Sequence, residues 1–121
     1  MFQKLECVCL YTADIAASLA FYTGLGLVEA WRIERVSGSG VASSLVGLKF
    51  PRADSSELVL SDNAEVNFTE VEIHVDDVRA THAALSANTA VEWIRTPFAT
   101  ESGHVAVMEA PDKNVFVLVG R

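Results

Sequence analysis

Basic residues are scarce in this chain. Nine Lys and Arg stand against sixteen Asp and Glu, a formal net charge of −7. Without a basic patch to meet phosphates, nucleic acid is excluded as a partner. Long apolar runs are missing as well. None reaches the ~18 residues of a membrane-spanning helix, and Met1-Phe2-Gln3-Lys4 lacks the basic and apolar blocks of a signal peptide. Cysteine is nearly absent: only Cys7 and Cys9 occur. Two residues apart on an apparent strand, they point the same way, which is poor geometry for a mutual disulfide. Thiols in a reducing compartment fit better, so the expectation is a cytoplasmic protein with no membrane partner.

Apolar residues, by contrast, make up 50% of the 121 residues. That is enough for one ordered domain with a real core and argues against disorder. The acidic excess is uneven. Residues 1–60 hold five basic and six acidic side chains, and residues 61–121 hold four and ten. A small molecule, cationic or planar, suits such a chain better than a polyanion.

The stretch from Asp14 to Leu27 is the clearest local signal. Asp14 is a short acceptor that caps the first N–H groups of a helix and suits the positive end of its dipole. Ile15, Leu19 and Tyr22, with Ala16, Ala20 and Phe21 beside them, recur at helical spacing. Gly24 or Gly26 supplies the stop. Before the helix, Leu5 to Thr12 alternates as a strand, with Leu5, Cys7, Cys9 and Tyr11 on one face. After it, strands are expected over 27–36, 41–50 and 57–61, with Ser37-Gly38-Ser39-Gly40 as a turn.

A second round begins after Asp62-Asn63-Ala64-Glu65. Residues 68–75 read as a strand, with Glu70, Glu72 and His74 on one face. Asp76 or Asp77 then caps a helix through about Ser86. Short strands follow over 91–95, 104–109 and 115–119, with Thr96-Pro97-Phe98 opening a loop and Pro111-Asp112-Lys113-Asn114 a turn. The chain thus reads as βαβββ twice, an internal repeat of order. The expectation is one domain over 1–121, with modules of about 1–62 and 63–121.

Leu5–Asp14, Phe21-Tyr22-Thr23-Gly24-Leu25-Gly26-Leu27 and the Pro111-Asp112-Lys113-Asn114 turn together resemble the vicinal oxygen chelate superfamily. That group includes glyoxalase I, extradiol dioxygenases and the bleomycin- and fosfomycin-resistance proteins. Lys113 stands where the family usually has Gly. The resemblance implies an α+β fold of two βαβββ modules forming a curved mixed sheet around a cavity, and a homodimer. Metal-dependent members place His, Gln or Glu ligands on strands facing that cavity. By motif spacing, the ligand positions fall at Cys7, near Val59 with Glu57 two residues earlier, at Glu70 and at Val117.

Valine has no lone pair to give, and a catalytic divalent site generally needs at least three protein ligands. The expectation is therefore no cofactor and no metal; were one held, Cys7, Glu57 and Glu70 would be its ligands. Parity brings further residues to the same face: Cys9 and Tyr11 with Cys7, Glu72 and His74 with Glu70. Glu70 and Glu72, about 7 Å apart along a strand, read as an acidic floor. Trp31 reads as an aromatic wall, on the analogy of relatives that stack rings on planar ligands. Core packing is favoured for Trp93.

This reading favours a metal-independent small-molecule binding protein of the bleomycin-resistance type over an enzyme. Its ligand-binding residues would be Cys7, Cys9, Tyr11, Trp31, Glu57, Val59, Glu70, Glu72, His74 and Val117. The alternative is a metal-dependent lyase, isomerase or dioxygenase of the same superfamily with an atypical ligand set. A third reading is a non-catalytic module whose cavity is closed by side chains.

Overall fold

The computed structural model describes residues 1–121. Its elements run β1 (Phe2–Tyr11), α1 (Ile15–Gly24), β2 (Val28–Val36), β3 (Ala42–Lys49) and β4 (Glu57–Ser61), then β5 (Glu70–Val75), α2 (Val78–Leu85), β6 (Glu92–Thr100), β7 (Gly103–Glu109) and β8 (Val115–Gly120). The βαβββ order occurs twice, as expected. Each round pairs its strands in the same way: β1 lies parallel to β4 and β5 parallel to β8, while β2–β3, β3–β4, β6–β7 and β7–β8 are antiparallel. The fold class is therefore the expected one, two βαβββ modules with a mixed sheet.

Two compact units divide the chain, one of Cys7–Thr69 and one of Met1–Glu6 with Glu70–Arg121. In the Cys7–Thr69 unit the strand order is β2-β3-β4-β1, and helix α1 covers one face. Asp14 starts this helix by accepting from the Ala17 N–H at 3.0 Å. Ile15, Leu19 and Tyr22 pack on Leu27, Val46, Leu48 and Leu60. Phe21 was grouped with that apolar face but is 62% exposed. No α1 residue is fully buried, because the helix carries apolar groups all round and only one side meets the strands. The opposite side of the sheet has its own cluster, in which Cys7, Cys9 and Val59 are buried with Trp31 and Leu45 against them.

The second unit orders its strands β1-β5-β8-β7-β6, with the first half of β1 at one edge. Asp77, not Asp76, caps α2, accepting from the Ala80 N–H at 2.9 Å. Val75, Val78, Ala106, Met108 and Leu118 form the core, with Leu85 and Trp93 packed against it. Trp93 also meets His82 edge to face at 4.6 Å, so core packing is its role.

Two expectations about this unit change. Strand β6 continues through Thr96-Pro97-Phe98, which was expected to be a loop. It is the outermost strand, so the missing Pro97 N–H costs no ladder bond, and the pairing with β7 slips between Arg95 and Phe98 to absorb the proline. β5 starts at Glu70 rather than Phe68, whose ring is exposed. In the Pro111 turn, Lys113 sits at φ +74°, a left-handed conformation that favours glycine. Its family-atypical side chain therefore stands at the one position of the turn where glycine is the natural residue.

Candidate functional site

In the Cys7–Thr69 unit the expected site residues come together as a packed cluster. Cys7 pairs with Glu57, Cys9 with Val59 and Tyr11 with Ser61 along the parallel β1–β4 ladder. Cys7 and Cys9 are thiols buried to 4% and 3% exposure. The Glu57 carboxylate is engaged by an aromatic side chain. The Trp31 indole N–H donates to both of its oxygens, at 3.1 and 3.2 Å. The same indole lies over Gly47, where a Cβ would fall 2.0 Å from Cε2. Trp31 is thus clamped between a strand backbone and a carboxylate. The expected aromatic wall is corrected: the ring is used up in packing, and Trp93 belongs to the other unit's core.

The second unit arranges polar groups instead. Glu70, Glu72 and His74 alternate down one face of β5 and are half-buried. One carboxylate oxygen of Glu70 lies within 4.8 Å of one from Glu72. Two hard oxygen donors at that separation can share a divalent cation. On β8, Val117 stands beside Glu72 and Val119 beside His74, so an apolar wall flanks the acidic pair. Val117 itself is buried and contributes only apolar surface.

One participant was missed. Glu6 on β1 has its carboxylate 3.5 Å from His74 Nδ1, with Lys4 Nζ 3.9 Å away. Its Oε2 is buried and accepts no hydrogen bond. Alternation grouped Glu6 with Val8 and Leu10, on the face away from the candidate residues. The available signal was a single charged residue within the run Leu5 to Thr12.

The match to a family model decides the kinship. Residues 4–118 match the model of the Glyoxalase/Bleomycin resistance protein/Dioxygenase superfamily. The chain belongs to that superfamily. Among curated protein sequences none matches. Solved structures sharing the fold include a hypothetical protein from Bacillus halodurans, 15% identical, with a TM-score of 0.75 over 98% of this chain and 94% of that one. A methylmalonyl-CoA epimerase from Mycobacterium tuberculosis is 14% identical, with a TM-score of 0.74 over 98% and 88%. The Streptomyces coelicolor methylmalonyl-CoA epimerase, solved with 2-nitronate-propionyl-CoA, is 17% identical, with a TM-score of 0.69 over 99% and 98%.

These findings correct the metal-independent reading. Val59 and Val117 leave two of the four expected ligand positions empty, but Glu72, two residues along β5 from Glu70, brings a second hard donor within 4.8 Å of the first. The expectations of no metal, of no cofactor and of a binding protein rather than an enzyme fall with that reading. The superfamily fold of this chain is also the fold of epimerases. No helix is long and apolar enough to cross a membrane.

Proposed function

We propose that this member of the superfamily is an isomerase-type enzyme that moves a proton next to a carbonyl of a small acyl thioester, with a divalent metal ion held in part by Glu70 and Glu72. The observation that carries the reading is the pair of carboxylate oxygens within 4.8 Å of each other on one strand face. The recurrence of methylmalonyl-CoA epimerases among structures of the same fold supports the reaction class. When bound, such an ion supplies Lewis-acid polarisation of a carbonyl oxygen.

The chain's own residues do the rest. Residues two apart on a strand share a face, so the β5 backbone fixes the spacing of the two carboxylates before any ligand arrives. His74 is next on that face. With Nδ1 facing the Glu6 carboxylate, Nε2 is the nitrogen left to take a proton from the substrate and return it. Val117 and Val119 keep that side of the site apolar and suit an acyl chain. The homodimer implied by the resemblance is part of the proposal, as is a reducing, cytoplasmic setting, supported by the buried thiols of Cys7 and Cys9.

Manganese binding followed by the electron paramagnetic resonance of the free ion tests the site directly. The expected result is retention by the wild type and a loss of about 100-fold or more in affinity for Glu70→Gln and Glu72→Gln. Solvent deuterium should also enter the α position of a branched acyl-CoA thioester, and His74→Gln should abolish that exchange while leaving manganese bound. Equal manganese affinity in the wild type, Glu70→Gln and Glu72→Gln would overturn the proposal.

A further inference from the structure

One helix face has no partner in the chain. Along α1 and the turn after it, Phe21 is 62% exposed, Leu25 64% and Val28 63%, with Phe50 at 39% close by. Ala16, Ala17 and Ala20 are exposed between them. The patch is continuous across the end of the helix, since a Cβ at Gly26 would stand 3.8 Å from Pro51 Cγ. Beside it lies a concavity of 430 Å³ lined by Phe50, Pro51, Arg52, Asp54 and Ser55.

We infer that this outer face of α1, with the Phe50–Ser55 loop, is the surface on which two copies of this chain pair. Charge selects the occupant. No residue from Ile15 to Val28 is charged, in a chain of net charge −7. Two copies repel over most of their surface, and this stretch is where their approach costs least. A basic partner would be drawn to the acidic regions instead. At its edge Arg52 and Asp54 neutralise each other at 3.1 Å and Glu29 meets Arg32 at 3.0 Å, while Lys49 stands opposite Val28 on the neighbouring strand.

Size and shape agree. The exposed apolar groups amount to on the order of 500 Å², at the upper end for a monomer's largest patch and approaching the ~800 Å² per partner of a standard interface. A two-fold contact brings the same patch of both copies together, so it must hold both a projection and a recess. Here Phe21 and Leu25 project, and the Phe50–Ser55 concavity receives.

The inference rests on the homodimer of the proposed function but not on the chemistry of Glu70 and Glu72, and manganese retention is measured separately. Sedimentation velocity across protein concentrations up to about 200 µM, where even a weak pair with micromolar Kd is assembled, is the test. The wild type should be dimeric at the top of that range. A Phe21→Asp/Leu25→Asp variant should be monomeric, its dimerisation weakened about 30-fold or more, as for loss of an interface anchor. Ile94→Asp, at an exposed apolar position on β6, should pair as the wild type does. Should the double variant lose its helical signal, hydrogen exchange of the wild type decides, with concentration-dependent protection expected over 15–28 and 50–55. A monomeric wild type, a double variant that still pairs, loss of pairing in Ile94→Asp, or protection confined to other segments would overturn it.

Discussion

Gly47→Ala isolates one contact with unusual clarity. Gly47 is buried in the middle of β3, and an added Cβ would sit 2.0 Å from Cε2 and 2.1 Å from Nε1 of Trp31. The indole is rigid beyond its two side-chain torsions, so it must move by more than an ångström. Its N–H then leaves the Glu57 carboxylate, which it now meets at 3.1 and 3.2 Å. A hydrogen bond to a charged group is worth about 1.5–3 kcal/mol, and overpacking a tight site costs about 1–3 kcal/mol. Replacing glycine also restricts the unfolded chain, which offsets about 0.4–1 kcal/mol. The net is a destabilisation of about 1.5–5.5 kcal/mol, read as a lower urea midpoint at unchanged slope. Tm should fall by roughly 5–28 °C for a chain of this length. Trp31 emission should shift to the red. In a Trp31→Ala background, which removes the whole ring, the same change should cost less than about 1 kcal/mol, because the clash is gone. Equal costs in the two backgrounds, or a Gly47→Ala protein as stable as the wild type, would refute the clamp.

Two further predictions concern the other unit. Leu118 is fully buried in the core with Val75, Val78 and Met108, so Leu118→Ala should cost about 2–5 kcal/mol in urea unfolding. Asp77 titrates below the usual 3.8, held there first by the Ala80 backbone N–H, against the opposing effect of burial, with weaker help from Arg121 and Arg79. A lowered native value means that its ionised form stabilises the fold above pH 3.8 and that this contribution disappears as pH falls through the native value. Acid titration of Asp77→Asn should therefore give a shallower loss of stability below pH 4 than the wild type, and parallel curves there would contradict the assignment.

Much of the scaffold was legible because its signals are local. Asp14 and the Asp76-Asp77 pair announced two helix starts, and alternation on either side announced the strands; together they gave the repeat. Pro97 misled because proline in a central strand is forbidden, and only the sheet order shows that β6 lies at an edge. The site was less legible. Spacing from Asp14 and Asp76 reached Glu70 but took one residue per strand as the unit of ligation, so Glu72 was assigned to a floor instead. Glu57 looked available in sequence, yet its carboxylate serves Trp31, 26 residues away. Glu6 meets His74 across 68 positions of sequence, and no local pattern reports such a meeting. Phe21 fell on the helical repeat but not on the side facing the strands.

The division of β1 has a consequence for how the molecule is made. Residues 7–69 emerge from the ribosome as one contiguous block. Met1–Glu6, made before that block, belongs with Glu70–Arg121, made after it, and Phe2 has Phe116 as its ring partner at 6.0 Å. At about 5–20 residues per second, that leading segment waits several seconds after the first unit is complete for its own partners to appear. An N-terminal tag that delays its docking should therefore slow completion of the Glu70–Arg121 unit alone, leaving the earlier unit folded while the later one is still assembling.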